Sequence, residues 1–174
     1  MTTIFSESWE RDLEKEFLSD NRCRKRAYIC SPLNADTEDD FIRNMRNART
    51  YMYYASTQMN LYARAPHAYL PMILCDRIPS ERALALWFGL RLLEESEMIL
   101  VCGNRISHGM RGEISHAISL NMPIIVFDDC VYSEAQKLAT QQGGNKSLVK
   151  LDRNHFSMAL ASLESICEKE VRRE

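Results

Sequence analysis

The residues richest in chemistry lie in one run, Cys102-Gly103-Asn104-Arg105-Ile106-Ser107-His108-Gly109-Met110-Arg111-Gly112-Glu113-Ile114. An apolar stretch, Met98 to Val101, precedes it, and Met110, Ile114, Ala117 and Ile118 follow at helical spacing before Pro123. Strand, glycine-bearing turn and helix, in that order, is how a parallel α/β sheet presents a ligand. Gly103 and Gly109 allow backbone shapes that a Cβ forbids, and they let a ligand approach the main chain. Free N–H groups at the helix start favour an anion or an electron-rich ring edge. Glu113 is expected in the first helical turn, where the dipole favours an ionised carboxylate. Beside a sugar, such a group is a nucleophile; the plainer reading is an acid that merely matches the dipole. Arg105 and Arg111 flank the helix start. Facing inward they suit a phosphate; facing outward they are surface charges.

The elements that must hold this run are legible in outline. Ala27 to Ser31 is a short apolar strand ended by Pro32. Thr37-x-x-Asp40 resembles a capping box, opening a helix with Phe41, Met45, Ala48, Met52, Ala55 and Met59 on one stripe. A weaker strand signal covers Leu61 to Ala65, followed by Pro66-His67, and Leu70 to Cys75 reads as a loop because of Pro71. Ser80 is the expected N-cap of a helix reaching Leu93. That helix is apolar nearly all round, so it needs cover on more than one side, and a second subunit is the expected cover.

Met98 to Cys102 and Pro123 to Phe127 are further buried strands, Ser133 to Thr140 a short helix, and Ser147 to Leu151 an edge strand. Amphipathic helices are expected at residues 7–19 and after Asn154. Strands alternate with helices, which predicts an α/β fold: a doubly wound, parallel, five-stranded sheet in a three-layer sandwich. In a flavodoxin-like order, 2-1-3-4-5, the first and third strands are neighbours, and a crevice opens at their carboxyl ends. Tyr28 to Asn34, Pro66-His67 and Gly103 to Glu113 would meet there.

Composition narrows the classes. The chain has 174 residues and a formal net charge of −2. That suits one domain at 26–174 preceded by a helical extension at 1–25. Nothing points to nucleic acid or membrane as a partner. The N-terminus lacks a basic start followed by an apolar core, so a cytoplasmic protein without a signal peptide is expected. The six cysteines include no C-x-x-C pair, which argues against a zinc or disulfide framework; no metal and no cofactor are expected.

Three segments carry a resemblance. Tyr28-Ile29-Cys30-Ser31-Pro32, Ala65-Pro66-His67-Ala68-Tyr69 and Ile106 to Ile114 resemble the nucleoside 2-deoxyribosyltransferase-like superfamily. Asp76, Pro79-Ser80-Glu81-Arg82 and Phe88-Gly89-Leu90 resemble a branch of small, uncharacterised bacterial and phage proteins within it. The likeness spans roughly Arg26 to Asp129.

It implies attack by a glutamate on C1′ of a deoxynucleoside, departure of the base, a covalent glycosyl-enzyme, and transfer of the sugar to another base or to water. By position that nucleophile is Glu113, the orienting tyrosine is Tyr28 and the motif glycine is Gly109. The implied substrate-binding set adds Ser31, Pro32, His67, Gly103, Ser107, Met110 and Arg111. The ligand would be a nucleoside, a nucleotide or a nucleotide-derived small molecule; the homo-oligomer is expected separately, from the apolar surface of the helix reaching Leu93.

Two positions depart from the pattern. The transferases carry an aspartate where this chain has Ser107, and often Asp-Gly where it has Cys102-Gly103. A leaving base needs a proton, and His67, His108 and Asp76 are the candidate donors. The alternative is a module that binds or sequesters a nucleotide-derived ligand without turnover.

Overall fold

A computed structural model describes residues 24–143 and 148–151 of the chain. The helices expected at 7–19 and after Asn154 lie outside these residues, as does almost all of the expected 1–25 extension. Strands β1 (Arg26–Cys30), β2 (Tyr62–Arg64), β3 (Met98–Val101), β4 (Ile124–Val126) and β5 (Leu148–Lys150) form one sheet in the order β2-β1-β3-β4-β5. Every pairing is parallel. This is the flavodoxin-like arrangement expected from the alternation, with β1 and β3 side by side. The helices are α1 (Glu38–Thr57), α2 (Pro79–Glu94), α3 (His108–Ser119) and α4 (Asp129–Gln141). No helix among the described residues is long and apolar enough to cross a membrane.

The two faces of the sheet follow from strand periodicity. Tyr28, Cys30, Ile99, Val101, Ile124 and Val126 point to one face, where Leu93 of α2, Met110, Ile114 and Ala117 of α3, and Val131, Ala135 and Ala139 of α4 cover them. Ala27, Ile29, Leu100 and Cys102 point to the other, under Ala48, Tyr51, Tyr54 and Ala55 of α1. Each fully buried aliphatic side chain stabilises the fold by roughly 1.5–3 kcal/mol.

The core stripe of α1 differs from the expected one: Tyr51 and Tyr54 are buried, whereas Phe41, Met52 and Met59 are only partly so. Tyrosine fits a core boundary because its ring buries while its hydroxyl keeps a partner.

Two helix starts also differ. Pro79, not Ser80, opens α2, with Ile78 at the cap position and no side-chain cap bond. Proline presets φ and has no N–H to satisfy, so it takes the first helical position. Helix α4 begins at Asp129 rather than Ser133, because the Asp128 carboxylate accepts from the N–H groups of Cys130 and Val131 at 2.9 and 3.2 Å. The stretch after β2 contains two single turns of 3₁₀ helix, Pro66–Ala68 and Leu70–Met72, where a loop was expected for the second.

The turn between β3 and α3 is tightly specified. Gly103 has φ +98, and a Cβ there would lie 2.9 Å from Cδ of Pro32. The segments leaving β1 and β3 thus pack against each other through a glycine and a proline ring. Gly103→Ala is expected to lower stability by roughly 1–3 kcal/mol, from the strained φ and the displaced ring. Urea denaturation of both proteins measures it, and an unchanged midpoint would remove the packing argument.

Candidate active site

The crevice is built at the carboxyl ends of β1 and β3. Tyr28 and Cys30 leave β1 on the same face as α3. Glu113 shares the inward stripe of α3 with Met110, Ile114 and Ala117, and all four are buried. The geometry therefore drives a carboxylate into an apolar layer, where it needs a donor. Tyr28 supplies one: its hydroxyl donates to Glu113 Oε1 at 2.8 Å. The Cys30 thiol adjoins the same carboxylate. Glu113 Oε2 is buried and has no hydrogen-bond partner.

His67, on the 3₁₀ turn after β2, forms the third side. Its Nδ1 lies 2.9 Å from the carbonyl oxygen of Ser31. A carbonyl only accepts, so Nδ1 carries the hydrogen. Nε2 is thereby aimed at Glu113 Oε1, 3.6 Å away. That distance is longer than a hydrogen bond but close enough for charge to matter.

Helix α2 closes the fourth side, and Gly89 is the reason it fits. A Cβ at Gly89 would sit 3.3 Å from the Tyr28 hydroxyl oxygen, crowding the group that holds Glu113.

Two cavities adjoin here. The smaller, about 60 Å³, lies between Pro66, His67, Leu74, Leu86, Gly89 and Glu113. The larger, about 630 Å³, is walled by residues 33–36, Arg43, Asn44, Arg82 and the 105–110 turn. Leu33, His67, Asp76 and Leu86 line both.

The expected residues separate into groups. Tyr28, Glu113, His67 and the Ser31 carbonyl meet directly. Ser107, Gly109 and Met110 line the larger cavity, as do Arg105 and His108. Ser107 is also the N-cap of α3, accepting from the Met110 N–H at 3.4 Å. Pro32 and Gly103 shape the floor by packing on each other. Arg111 turns away and pairs with Glu134 of α4, outside the lining of either cavity. Of the proton-donor candidates, His67 is beside Glu113, His108 is exposed, and Asp76 is paired with Arg82 at 2.6 Å.

Two expectations about α3 are corrected. Glu113 is in the second helical turn, since the helix begins at His108 and its first turn holds no acidic residue. The dipole falls off within the first turn, and the carboxylate is held by a tyrosine hydroxyl rather than by main-chain N–H groups. Gly109 is not required by the backbone either, for a Cβ there would meet nothing within 4 Å. Cys30 and Gly89 were missed as neighbours of the site. A glycine inside an otherwise apolar helix is the signal that marks Gly89, because it costs helix stability unless something approaches closely.

Among the described residues, no three His, Cys, Asp or Glu side chains gather as a metal site, and Cys30, Cys75, Cys102 and Cys130 are free thiols.

Burial pushes the Tyr28 hydroxyl well above its ordinary value of 10.0, and the Glu113 charge pushes it further. Cys30 is raised well above 9.0 by the same two causes in the same order. Both groups bind their protons more tightly in the folded chain than in the unfolded one. Their contribution to stability is whole below about pH 9, where the unfolded groups are still protonated, and is lost as pH rises beyond. The melting temperature is expected to fall from pH 8.5 to 11, and to fall less steeply in Tyr28→Phe. Parallel falls in the two proteins would show that Tyr28 is not the titrating group.

A family model described as a domain of unknown function, DUF7768, matches residues 25–127. No curated protein matches the chain. Among solved structures, a 2-deoxyribosyltransferase from the psychrotolerant bacterium Bacillus psychrosaccharolyticus is similar at 12% identity and a TM-score of 0.45. The match covers 59% of this chain and 72% of that one.

Proposed function

We propose, for a chain that belongs to the DUF7768 family of domains of unknown function, that it breaks the N-glycosidic bond of a nucleoside, a nucleotide or a nucleotide-derived small molecule. It acts as an N-glycosidase or a 2-deoxyribosyltransferase in the cytoplasm. The observation that carries this reading is the buried Tyr28–Glu113 hydrogen bond, which fixes one oxygen of a carboxylate whose residue lines a cavity and whose other oxygen has no hydrogen bond.

Glu113 Oε2 attacks C1′ of the sugar as nucleophile. The C1′–N bond breaks, its electron pair leaves with the base, and an ester forms between Glu113 and C1′. The departing base takes a proton from His67, whose ring the Ser31 carbonyl orients. Water or a second base then attacks C1′ and gives its proton to His67, and the carboxylate is released. Tyr28 donates to Oε1 throughout and stays protonated, since its burial opposes ionisation. Ser107, Gly109 and Met110 line the larger cavity, where the rest of the ligand lies, and Arg105 in the same wall offers a cation to a phosphate-bearing substrate.

A second reading is carried by Ser107, which stands where the transferases carry an aspartate. With that recognition group replaced, the same crevice serves as a binding module without turnover.

A panel of nucleosides and nucleotides separates the two, read by thermal shift and by release of free base. Turnover by the wild type, reduced roughly a thousandfold or more in Glu113→Gln with the thermal shift retained, is the expected result. A covalent adduct on Glu113 from a 2-fluoro nucleoside, seen by mass spectrometry, would identify the nucleophile. Wild type that binds yet never releases base leaves the binding module. Full turnover by Glu113→Gln rules out the glutamate mechanism.

A further inference from the structure

Glu113 lines the smaller cavity and not the larger one, and its Oε2 is buried. A space of about 60 Å³ holds a few waters. A site for a small organic ligand runs to about 300–1,000 Å³. The larger cavity, at about 630 Å³, is of that size. A ligand seated there reaches Glu113 only when the wall between the two cavities opens.

Leu33, His67, Asp76 and Leu86 line both cavities and so form that wall. Leu33, His67 and Leu86 stand on fixed ground. The Leu33 carbonyl accepts from Asn44 Nδ2 at 3.0 Å, the Ser31 carbonyl orients His67, and Leu86 is inside α2. Asp76 differs. It belongs to a strap, residues 69–78, in which no residue is buried. Leu70, Pro71 and Leu74 of the same strap line the smaller cavity. A segment with no buried side chains opens at low cost.

Polar contacts hold the strap to the first turn of α2. Glu81 accepts from the Cys75 N–H at 2.6 Å, and Arg82 Nη1 donates to Asp76 Oδ2 at 2.6 Å. On the α1 side, Arg49 donates to the Ala68 carbonyl and to Met72 Sδ. Arg82 itself lines the larger cavity, so the Asp76 contact faces the space where a ligand arrives. Asp40 and Arg43 share that lining and pair with each other, as Asp76 and Arg82 do. An anion entering there binds Arg82 by taking the place of its carboxylate.

We infer that Asp76 and Arg82 form a latch that an anionic group of the ligand opens. A phosphate takes the Arg82 guanidinium in a bidentate pair, Asp76 is released, and the strap lifts from Glu113. A neutral nucleoside has no group that competes for Arg82, so the latch selects nucleotides before any bond is broken. The inference rests on Glu113 as the reacting group, as proposed above. It is read without turnover, so the latch and the N-glycosidase chemistry can fail separately.

Hydrogen exchange of the full chain tests it, followed by mass spectrometry in peptides covering residues 70–78, with inorganic phosphate as the anion. Phosphate should speed exchange of the wild type roughly two- to fivefold, the opening that an exposed ion pair holds back. Sodium chloride at equal ionic strength should not. Asp76→Asn should exchange faster by a similar factor without phosphate and gain nothing from it, since both changes undo one pair. Arg82→Gln should be equally fast and equally indifferent. Wild-type exchange that phosphate leaves unchanged or slows overturns the proposal, and so does an equal response to chloride; these arms need no variant. A phosphate response retained in Arg82→Gln also overturns it, because the anion then acts elsewhere.

Discussion

An ionisable group on the inward stripe of a helix has to be met by a donor, or the helix cannot pack. Burying a carboxylate without partners costs several kcal/mol, and Glu113 stands between Met110, Ile114 and Ala117 over the sheet. The Tyr28 hydroxyl meets it, and much of the neighbourhood follows from that contact. Tyr28 must be fully buried to reach the carboxylate, so β1 must be an inner strand. Helix α2 must come close without touching the hydroxyl, so it has a glycine at 89. The turn after β2 must present His67 at the correct angle, and it does so through the main-chain carbonyl of Ser31.

The crevice has two unlike sides. Its floor is set by sheet pairing and by the Gly103–Pro32 contact, where little can shift without strain. Its other side is made of side chains on short 3₁₀ turns and on the first half of α2, with Leu70, Leu74 and Leu86 in contact with the cavities. Tyr28 and Glu113 belong to the stiff side, while His67 reaches them from the turn after β2.

Much of this was legible before any coordinates. Alternating apolar runs and helical stripes predict a parallel, doubly wound sheet; right-handed crossovers leave few strand orders, and the flavodoxin-like one is that observed. The meeting of Tyr28, His67 and Glu113 follows from that order and from the three segments that carry the resemblance. The family model covers 25–127, close to the Arg26 to Asp129 span over which the resemblance was read. Glu113 was expected in a first turn, and that expectation did not use its spacing, three residues after Met110 and four before Ala117, which sets an acid on an apolar stripe.

What the sequence hid was set by rotamers and by partners far along the chain. Arg111 was expected to face the ligand, but Glu134 of the next helix draws it outward. The start of α3 could not be read to the residue, so Glu113 was placed a turn too early. A glycine inside an apolar helix marks Gly89 as unusual, but its partner, the end of the Tyr28 hydroxyl from β1, is not encoded locally.

The Tyr28–Glu113 bond joins residues 85 apart in the chain. Strand β1 gains β2 as a neighbour only after the whole of α1, and β3 only after α2. Contacts of such long sequence separation form slowly, since the loop entropy is spent before they repay it. During synthesis, therefore, Tyr28 exists for most of the time as an apolar strand residue without its acceptor. The half-site has no Glu113 to organise until α3 has emerged.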